Sequence, residues 1–528
     1  MKRHDYVLLL LLGLLSAGLA ASFEASPGYM DADYYFAGGY RLARGEGLSE
    51  PFLWNYLDDP AGLPHPSHAY WMPLASFLAA AGVWLLAKGA TVPLAAFAAG
   101  RLGFILVAAC LPPLTARLAH NFGGRRSVAW LAGLLACCSG FYWPYLPTSD
   151  TFGLYMLLGG IWLWVAAEQN WRKGNWLRPA VLGALAGCMH LARADGLLWL
   201  AVSLGAAYSL CGGNFRRRGL SLGLCLAGYL LIMGPWMARN WFTFGTLLSP
   251  GGLRALWFTA YDELYAYPAT LLTPERWWAS GLAAIGRARL WALGLNVQTA
   301  LFVQGEIFLG PLAFAGLWRL RRMSNVRWAV AAWLLTGLVM TVAFPYAGAR
   351  GGFFHSGAAL QPLIWAAAPI GLEAFVSWGT RRRGWQARPA MAMFGVACVL
   401  LAATVTGMAA ARRLGGDTAL TPAWDASTRH YQQLEQTLVT MGVAPQLVVM
   451  VNDPPGYYVA TGRWTVANPN GDVETQLAVA WRYGVAYILL EADHPRALNA
   501  LYEQPADVAA LDYLVTVAGT HVFGVQSP

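Results

Sequence analysis

The sequence predicts a mostly α-helical protein that crosses a membrane many times and ends in a small α/β domain. Of its 528 residues, 57% are hydrophobic and only 12% are charged, and the mean hydropathy is +0.43. Soluble domains carry about 25% charged residues. The composition therefore excludes a soluble enzyme and a disordered chain, and it favours a polytopic bundle of transmembrane helices.

Short clusters of basic residues separate the apolar runs and set the predicted topology. Cytoplasmic loops are enriched in Arg and Lys, so we place in the cytoplasm the clusters at Arg117, Arg125 and Arg126; at Arg172, Lys173 and Arg178; at Arg216 to Arg218; at Arg319, Arg321, Arg322 and Arg327; and at Arg381 to Arg383. The run Val7 to Ala21 follows Lys2 and Arg3 and is interpreted as a retained first span with a cytoplasmic N-terminus. The alternative is a cleaved signal peptide. Because the net charge of +9 lies in these clusters, no nucleic-acid partner is expected.

Each segment between two basic clusters must cross an even number of times, so it must contain a turn. We place turns at 143–150, 190–195 and 346–356, and a longer outer loop at about 239–289. Residues 70–87 are interpreted as a re-entrant or interfacial helix. The count is then about 11 spans, with about 13 as the alternative, in a multi-pass protein of the plasma or inner membrane.

Two parts are predicted to lie outside the membrane on the extracytoplasmic side. The first is the outer loop at 23–69, and the second is a domain at 411–528, which follows the transmembrane domain at 1–410. The tail carries 11 acidic and 6 basic residues. Apolar strands at 446–451 and 485–490 alternate with amphipathic helices at 424–441 and 473–483, a pattern typical of a small α/β domain with a mostly parallel sheet.

The first outer loop contains the most informative residues for chemistry. Asp31 and Asp33 lie just beyond the first span and open an aromatic amphipathic helix. A carboxylate at this place can take a proton from an acceptor or hold a divalent cation. The alternative is a solvated helix start, where Asp is favoured. His65 and His68, set among prolines, either bind a phosphate or a metal, or belong to a rigid turn with interfacial aromatic residues.

Several ionisable residues lie near the predicted outer ends of spans, where charged groups are costly and often functional. They are Arg101, Asp150, Arg193, Asp195, Arg239, Arg350 and His355. Arg suits a phosphate clamp. For any one of these arginines the alternative is a side chain that extends from a helix end toward the lipid headgroups. Together they predict an anionic-headgroup site beside a carboxylate base.

Four motifs resemble, in their order, those of the GT-C membrane glycosyltransferases, which include protein O-mannosyltransferases, aminoarabinose transferases and the catalytic subunit of oligosaccharyltransferase. They are Asp31-Ala-Asp-Tyr-Tyr35 with the His-Pro element, Pro147-Thr-Ser-Asp150, Leu191-Ala-Arg-Ala-Asp-Gly196, and Pro235-Trp-Met-Ala-Arg-Asn-Trp-Phe-Thr-Phe-Gly245. The resemblance covers about residues 1–410. Two departures stand out: Ala32 replaces the second acidic residue of the mannosyltransferase pair, and Trp277-Trp278 is followed by Ala279 where oligosaccharyltransferase has Asp.

The resemblance implies transfer of a hexose or pentose from a polyprenyl-phosphate carrier to a protein, lipid or glycan acceptor on the outer face. It implies Asp31 or Asp33 as the catalytic carboxylate, Asp150 as a supporting acid, and Arg193, Arg239 and Arg350 as phosphate ligands. No cofactor is expected, since phosphate is already a good leaving group. The enzyme alternative uses a diphosphate carrier with Mg²⁺ or Mn²⁺ held by Asp31 and Asp33. The other alternative, a transporter, predicts internal repeats, and the sequence shows none.

Overall fold

The computed structural model describes residues 1–167, 176–211, 214–416 and 422–527, so that Arg172 and Lys173 of the second basic cluster lie outside the described residues. The chain divides into two compact units. The helical unit comprises Met1–Phe23, Phe104–Leu247 and Arg289–Gly415. The sheet unit comprises Glu24–Gly103, Leu248–Ala288 and Gly416–Pro528.

The α-helices of the described residues follow the apolar runs closely. In chain order they are α1 (Arg3–Ala21), α2 (Met30–Ala43), α3 (Leu74–Leu86), α4 (Phe97–Gly100), α5 (Leu102–Asn121), α6 (Arg126–Cys138), α7 (Phe152–Val165), α8 (Leu177–Ala192), α9 (Leu197–Cys211), α10 (Phe215–Phe244), α11 (Pro250–Arg254), α12 (Pro274–Ala279), α13 (Leu282–Gln298), α14 (Leu309–Leu320), α15 (Ser324–Val342), α16 (Pro345–Ala347), α17 (Phe353–Gly357), α18 (Gln361–Arg383), α19 (Ala387–Leu414), α20 (Ala426–Thr440), α21 (Pro454–Thr461), α22 (Val473–Tyr483) and α23 (Asn499–Glu503).

The helices confirm a multi-pass membrane protein. Within the described ranges, seven segments are long and apolar enough to cross a bilayer, or eight if the pair Leu282–Gln304 and Leu309–Leu320, bent by 90°, forms one span. Helices α3, α6, α7 and α8 are apolar but shorter. The 13 residues of α3 extend only about 20 Å, against roughly 30 Å for a hydrocarbon core. The count of 11 spans and the interfacial placement of 70–87 stay predictions.

The predicted turns fall in segments that separate long helices. Helices α8 and α9 meet at residues 193–196, α6 and α7 at 139–151, and α15 and α18 at 343–360. Helices α8 and α10 pack closely through glycines, because a Cβ on Gly183 would lie 1.8 Å from the Cys225 carbonyl oxygen, and one on Gly228 would lie 2.0 Å from that of Ala180. Small residues allow such backbone approach in membrane bundles.

The strands of the sheet unit are β1 (Ser49–Glu50), β2 (Phe52–Leu53), β3 (His65–Pro66), β4 (Val448–Val451), β5 (Thr465–Ala467), β6 (Val485–Leu490), β7 (Leu511–Val517) and β8 (Thr520–Val525). The main sheet has the order β2-β5-β4-β6-β8-β7. The first three pairings are parallel and the last two are antiparallel. The strands and helices predicted in the tail are confirmed. The sheet also contains β2 of the first loop, which the sequence analysis did not predict.

Candidate functional site

The two carboxylates of the first loop lie on opposite sides of helix α2. Asp31 and Asp33 both fall in its first turn, and the N-cap position is Tyr29. Residues two apart on a helix differ by about 200° in direction, so their side chains do not face each other. Asp33 is only 4% exposed, whereas Asp31 is partly exposed. The predicted cation site that uses both residues therefore does not fit this helix.

Asp33 faces the buried interior of the sheet unit. Its Oδ1 is buried and has no hydrogen-bond partner in the described part of the chain. Burial raises the pKa of Asp33 well above its ordinary value, and the nearby charges of Asp453 and Asp425 raise it further. A carboxylic acid in this environment is favoured in its neutral form.

Its two acidic neighbours are anchored to backbone groups. Asp425 accepts hydrogen bonds from the backbone N–H of Ser26 at 2.9 Å and from the Ser26 hydroxyl at 2.7 Å. Asp453 caps helix α21 by accepting from the Gly456 N–H at 3.0 Å. Burial nevertheless raises the pKa of Asp453 to about 6.

The two histidines of the first loop contact protein groups. The Nε2 of His65 lies 3.0 Å from the Phe52 carbonyl oxygen and 3.4 Å from the Glu50 carboxylate. His68 is fully buried, and its ring nitrogens lie 2.7 Å and 3.1 Å from the hydroxyls of Ser67 and Ser76. This network matches the rigid-turn alternative. Ligand binding by His65 and His68 stays a prediction.

Arg101 is engaged within the sheet unit. Its Nη1 donates to the Glu24 carbonyl oxygen at 2.6 Å and lies 3.9 Å from the Glu24 carboxylate. The guanidinium carbon also lies 5.0 Å from the centre of the Phe97 ring. Glu24 is 2% exposed, and burial raises its pKa well above the ordinary value even though Arg101 opposes the shift.

In the helical unit, Asp150 and His355 form a pair. The carboxylate of Asp150 is 1% exposed and accepts from the Thr151 N–H at 2.5 Å and the Thr151 hydroxyl at 3.1 Å. The Nδ1 of His355 lies 3.7 Å from the same oxygen. The His355 ring stacks on Phe152, with ring centres 3.9 Å apart. Asp150 lies just before α7, and His355 lies within the short helix α17.

An ion pair lies near Asp150 and His355. The Nε of Arg193 donates to Asp195 at 2.9 Å, and the Tyr155 hydroxyl donates to the other oxygen of Asp195 at 3.4 Å. The break between α8 and α9 positions this pair, since Arg193 has extended backbone angles there. Asp150, Arg193 and Asp195 all lie close enough to the His355 ring to interact with it electrostatically. Four of the predicted residues therefore form one cluster, which we call the polar cluster: Asp150, Arg193, Asp195 and His355.

Two further predicted arginines occupy well-defined positions in the helical unit. The guanidinium of Arg239 lies 4.8 Å from the ring centres of both Trp236 and Phe244, near the end of α10. Arg350 is exposed in the irregular turn that precedes α17. Their interaction with a phosphate stays a prediction.

Sequence reasoning missed the arginines that end α19. Arg413 lies 5.7 Å from the ring centre of Tyr145, and Asp150 and Arg412 lie near that ring as well. The signal was present, because Arg412 and Arg413 close the last apolar run. A domain boundary predicted at 410 and 411 assigned them to the tail instead.

Comparisons with known proteins support the fold. No protein-family model and no curated protein sequence matches the chain. The structure is similar to that of AglB, an archaeal oligosaccharyltransferase from Archaeoglobus fulgidus in complex with an inhibitory peptide and a dolichol phosphate, with 13% identity, a TM-score of 0.55, and coverage of 92% of this chain and 69% of that one. A second structure of the A. fulgidus enzyme, in complex with Zn and sulfate, gives 13% identity, a TM-score of 0.55, and coverage of 91% and 67%.

The structure of ArnT from Cupriavidus metallidurans bound to undecaprenyl phosphate matches over almost its full length. The identity is 13% and the TM-score 0.55, with 99% of this chain and 98% of that one covered. The chain has the GT-C fold, and the fold class predicted from the resemblance is confirmed.

Proposed function

We propose that this protein is an integral membrane glycosyltransferase that moves a sugar from a polyprenyl-phosphate carrier to an acceptor. The observation that carries the proposal is the polar cluster, set at helix ends of a GT-C fold whose solved examples bind dolichol phosphate and undecaprenyl phosphate. A transport function is less favoured for two reasons. The solved structures that share this fold are those of transferases, and the sequence has no internal repeat.

We propose Asp31 as the general base. A base must come within hydrogen-bond distance of the acceptor proton, and Asp31 is partly exposed at the helix start while Asp33 is buried. The macrodipole of α2 favours the ionised form of Asp31. The Asp31 carboxylate takes the acceptor proton, the acceptor oxygen or nitrogen bonds to the anomeric carbon, and the bond from that carbon to the phosphate oxygen breaks.

The departing lipid phosphate requires positive charge. We propose Arg193, with Arg239 and Arg350 as further candidates, because a guanidinium donates two parallel hydrogen bonds to a phosphate. The Asp195 carboxylate orients Arg193 by accepting from its Nε at 2.9 Å. Asp150 and His355 are proposed to hold and orient groups beside this arginine.

A divalent metal is a second candidate component, since a structure with this fold contains Zn. The pair Asp31 and Asp33 does not fit one ion, so no step is assigned to a metal held by these two residues. The two enzyme alternatives differ in a simple assay: transfer from a monophosphate carrier should continue in EDTA, and transfer by a metal-dependent diphosphate enzyme should stop and return with Mg²⁺ or Mn²⁺.

We also propose that the N-terminus is cytoplasmic and the C-terminal domain extracytoplasmic, on the basis of the basic clusters. A reporter fused after the last residue should be active outside the cytoplasm, and a reporter fused at Arg217 should be active inside. A cytoplasmic C-terminus would contradict this topology and the proposed side of the reaction.

The function itself is tested with purified protein in lipid vesicles. We expect the wild-type chain to release polyprenyl phosphate from a hexosyl- or pentosyl-phosphate carrier when acceptor is supplied, and Asp31→Asn to release it about 10²–10⁴-fold more slowly. Mass spectrometry of envelope glycans, with and without the gene, should identify the missing sugar. Movement of the intact carrier across the bilayer without cleavage would show a transporter instead.

A further inference from the structure

Helices α6 and α19 enclose a groove in the helical unit that is separate from the polar cluster. The groove has a volume of about 820 Å³. Its walls are apolar, and they include Leu131 and Leu134 from α6, and Met391, Val396 and Leu400 from α19. From Ala387 to Leu400 the groove extends about 20 Å along α19, which exceeds the roughly 15 Å of hydrocarbon in one leaflet.

The apolar part of this groove faces the bilayer. Only 28% of the α19 span is buried inside the protein, compared with 78% for the span that contains α18. Val396 and Leu400 are 59% and 62% exposed. Ala392 and Gly395 have side chains too small to fill the space between these exposed residues. The wall therefore offers a concave surface to a lipid chain.

One end of the groove carries positive charge. Arg125, Arg126 and Arg388 all line this end, together with Ser127. Arg388 makes no ion pair or hydrogen bond within the described ranges. Arg125 has only a long contact with Glu373, 3.4 Å from Nε, and Arg126 pairs with Asp5 at 2.5 Å. Three guanidinium groups against two carboxylates leave a net positive charge.

The backbone adds to this charge at the same end. Helix α6 begins at Arg126 and helix α19 begins at Ala387, and neither helix has a side chain that caps its first turn. The free N–H groups and the positive ends of two helix dipoles therefore lie beside the three arginines. Helix N-termini favour anions, and phosphate is a common ligand there.

We propose that this groove binds one anionic diacyl phospholipid, with its phosphodiester at Arg125, Arg126 and Arg388 and an acyl chain along α19. Charge complementarity selects an anionic headgroup, and the apolar wall selects a lipid over a soluble phosphate. The bound lipid contacts residues of both α6 and α19.

The test uses the full-length protein in a zwitterionic detergent. Phosphatidylglycerol or phosphatidylcholine with identical acyl chains is added, and native mass spectrometry measures the fraction of protein that keeps one lipid. We expect phosphatidylglycerol to be retained in preference. Arg388→Gln should lower its retention about fivefold, as expected for about 1 kcal/mol per arginine near an anionic headgroup. Ala392→Leu should also lower retention, because it fills the groove and leaves every arginine in place.

The matched control is Arg217→Gln, which removes one exposed arginine from a different basic cluster and should leave retention unchanged. Equal retention of the two lipids would overturn the proposal. An equal loss in Arg217→Gln and Arg388→Gln would do the same, since it would show only general charge. Displacement of phosphatidylglycerol by an equal concentration of glycerol phosphate would show a site for soluble phosphate and would overturn the lipid assignment.

Discussion

The polar cluster of the helical unit and the site of Asp33 in the sheet unit surround their carboxylates differently. In the helical unit Asp150 lies 3.7 Å from His355, and Asp195 accepts a hydrogen bond from Arg193 at 2.9 Å. In the sheet unit the carboxylate oxygens of Glu24 and one oxygen of Asp33 are buried without hydrogen-bond partners in the described residues. Desolvation without compensation favours the neutral acid, whereas a nearby cation favours the ion. The pair of Arg193 and Asp195 thus maintains charge, whereas burial disfavours it at Asp33 and Glu24.

The largest effect should come from Asp31, the partly exposed member of the pair Asp31 and Asp33. Asp31→Asn keeps the size of the side chain but removes its basicity, so we expect kcat to fall about 10²–10⁴-fold, with thermal stability close to that of the wild type. Transfer assays with a lipid-linked sugar donor would measure kcat. Full activity in Asp31→Asn would show that Asp31 is not the general base. The residue would then only favour the start of the helix.

The second effect concerns the ion pair of the polar cluster. Asp195→Asn weakens the hydrogen bond that orients Arg193, and the loss of about 1.5 kcal/mol for such a charged hydrogen bond corresponds to roughly tenfold. We expect this loss to appear as a higher KM for the donor, with kcat much less affected. An equal rise in the KM for the acceptor, with the KM for the donor unchanged, would contradict phosphate binding by Arg193.

A smaller effect is expected from an exposed arginine of the same unit. Arg350→Ala should raise the KM for the donor about fivefold, because solvent screens an exposed charge and limits its contribution to about 1 kcal/mol. Arg350→Lys should recover part of this loss. Arg217→Ala serves as the control for general charge, and an equal change in that variant would remove Arg350 from the site.

The smallest effect on activity should come from Asp33. Since its buried side chain is favoured in the neutral form, Asp33→Asn is nearly isosteric, and we expect transfer within about twofold of wild type. Above the raised pKa of Asp33 the variant should be the more stable protein, since it has no buried charge to form. A loss of transfer as large as that of Asp31→Asn would reverse the assignment of the two residues.

The same comparison predicts a pH dependence of stability. Burial raises the pKa of Glu491 from 4.5 to about 7 and that of Asp453 from 3.8 to about 6. Between the ordinary and the raised values the folded protein binds more protons than the unfolded chain, so the free energy of unfolding falls as pH rises. Thermal unfolding should show a decline between pH 4.5 and 7. Glu491→Gln should flatten this decline.

Much of the helical unit could be predicted because local patterns determine it. The basic clusters and apolar runs placed the turn between α8 and α9, and so Arg193 and Asp195, at the same end of two adjacent helices. The tail strands β4 and β6 were likewise predicted, since each is a short apolar run. Strand β2 has only two residues, Phe52 and Leu53, and so lacks any detectable periodicity.

The difference between Asp31 and Asp33 could be predicted only in part. A helix that begins near residue 30 already separates the two side chains by about 200°. Which of them is buried depends on packing against distant segments such as α21, some four hundred residues later in the chain. No local sequence pattern encodes such a contact between distant segments. From the local sequence alone, Asp31 and Asp33 were two equivalent carboxylates.

Strand β2 also has a consequence for biosynthesis. It pairs in parallel with β5, and the hydroxyl of Tyr56 contacts the carbonyl oxygen of Ala467, 411 residues further along the chain. At about 5–20 residues per second, the ribosome needs roughly 20–80 s to supply the second partner after the first. During that time the nascent first loop has no sheet to join. A tail produced without residues 24–103 would expose the edge of β5, and unpaired edges promote aggregation.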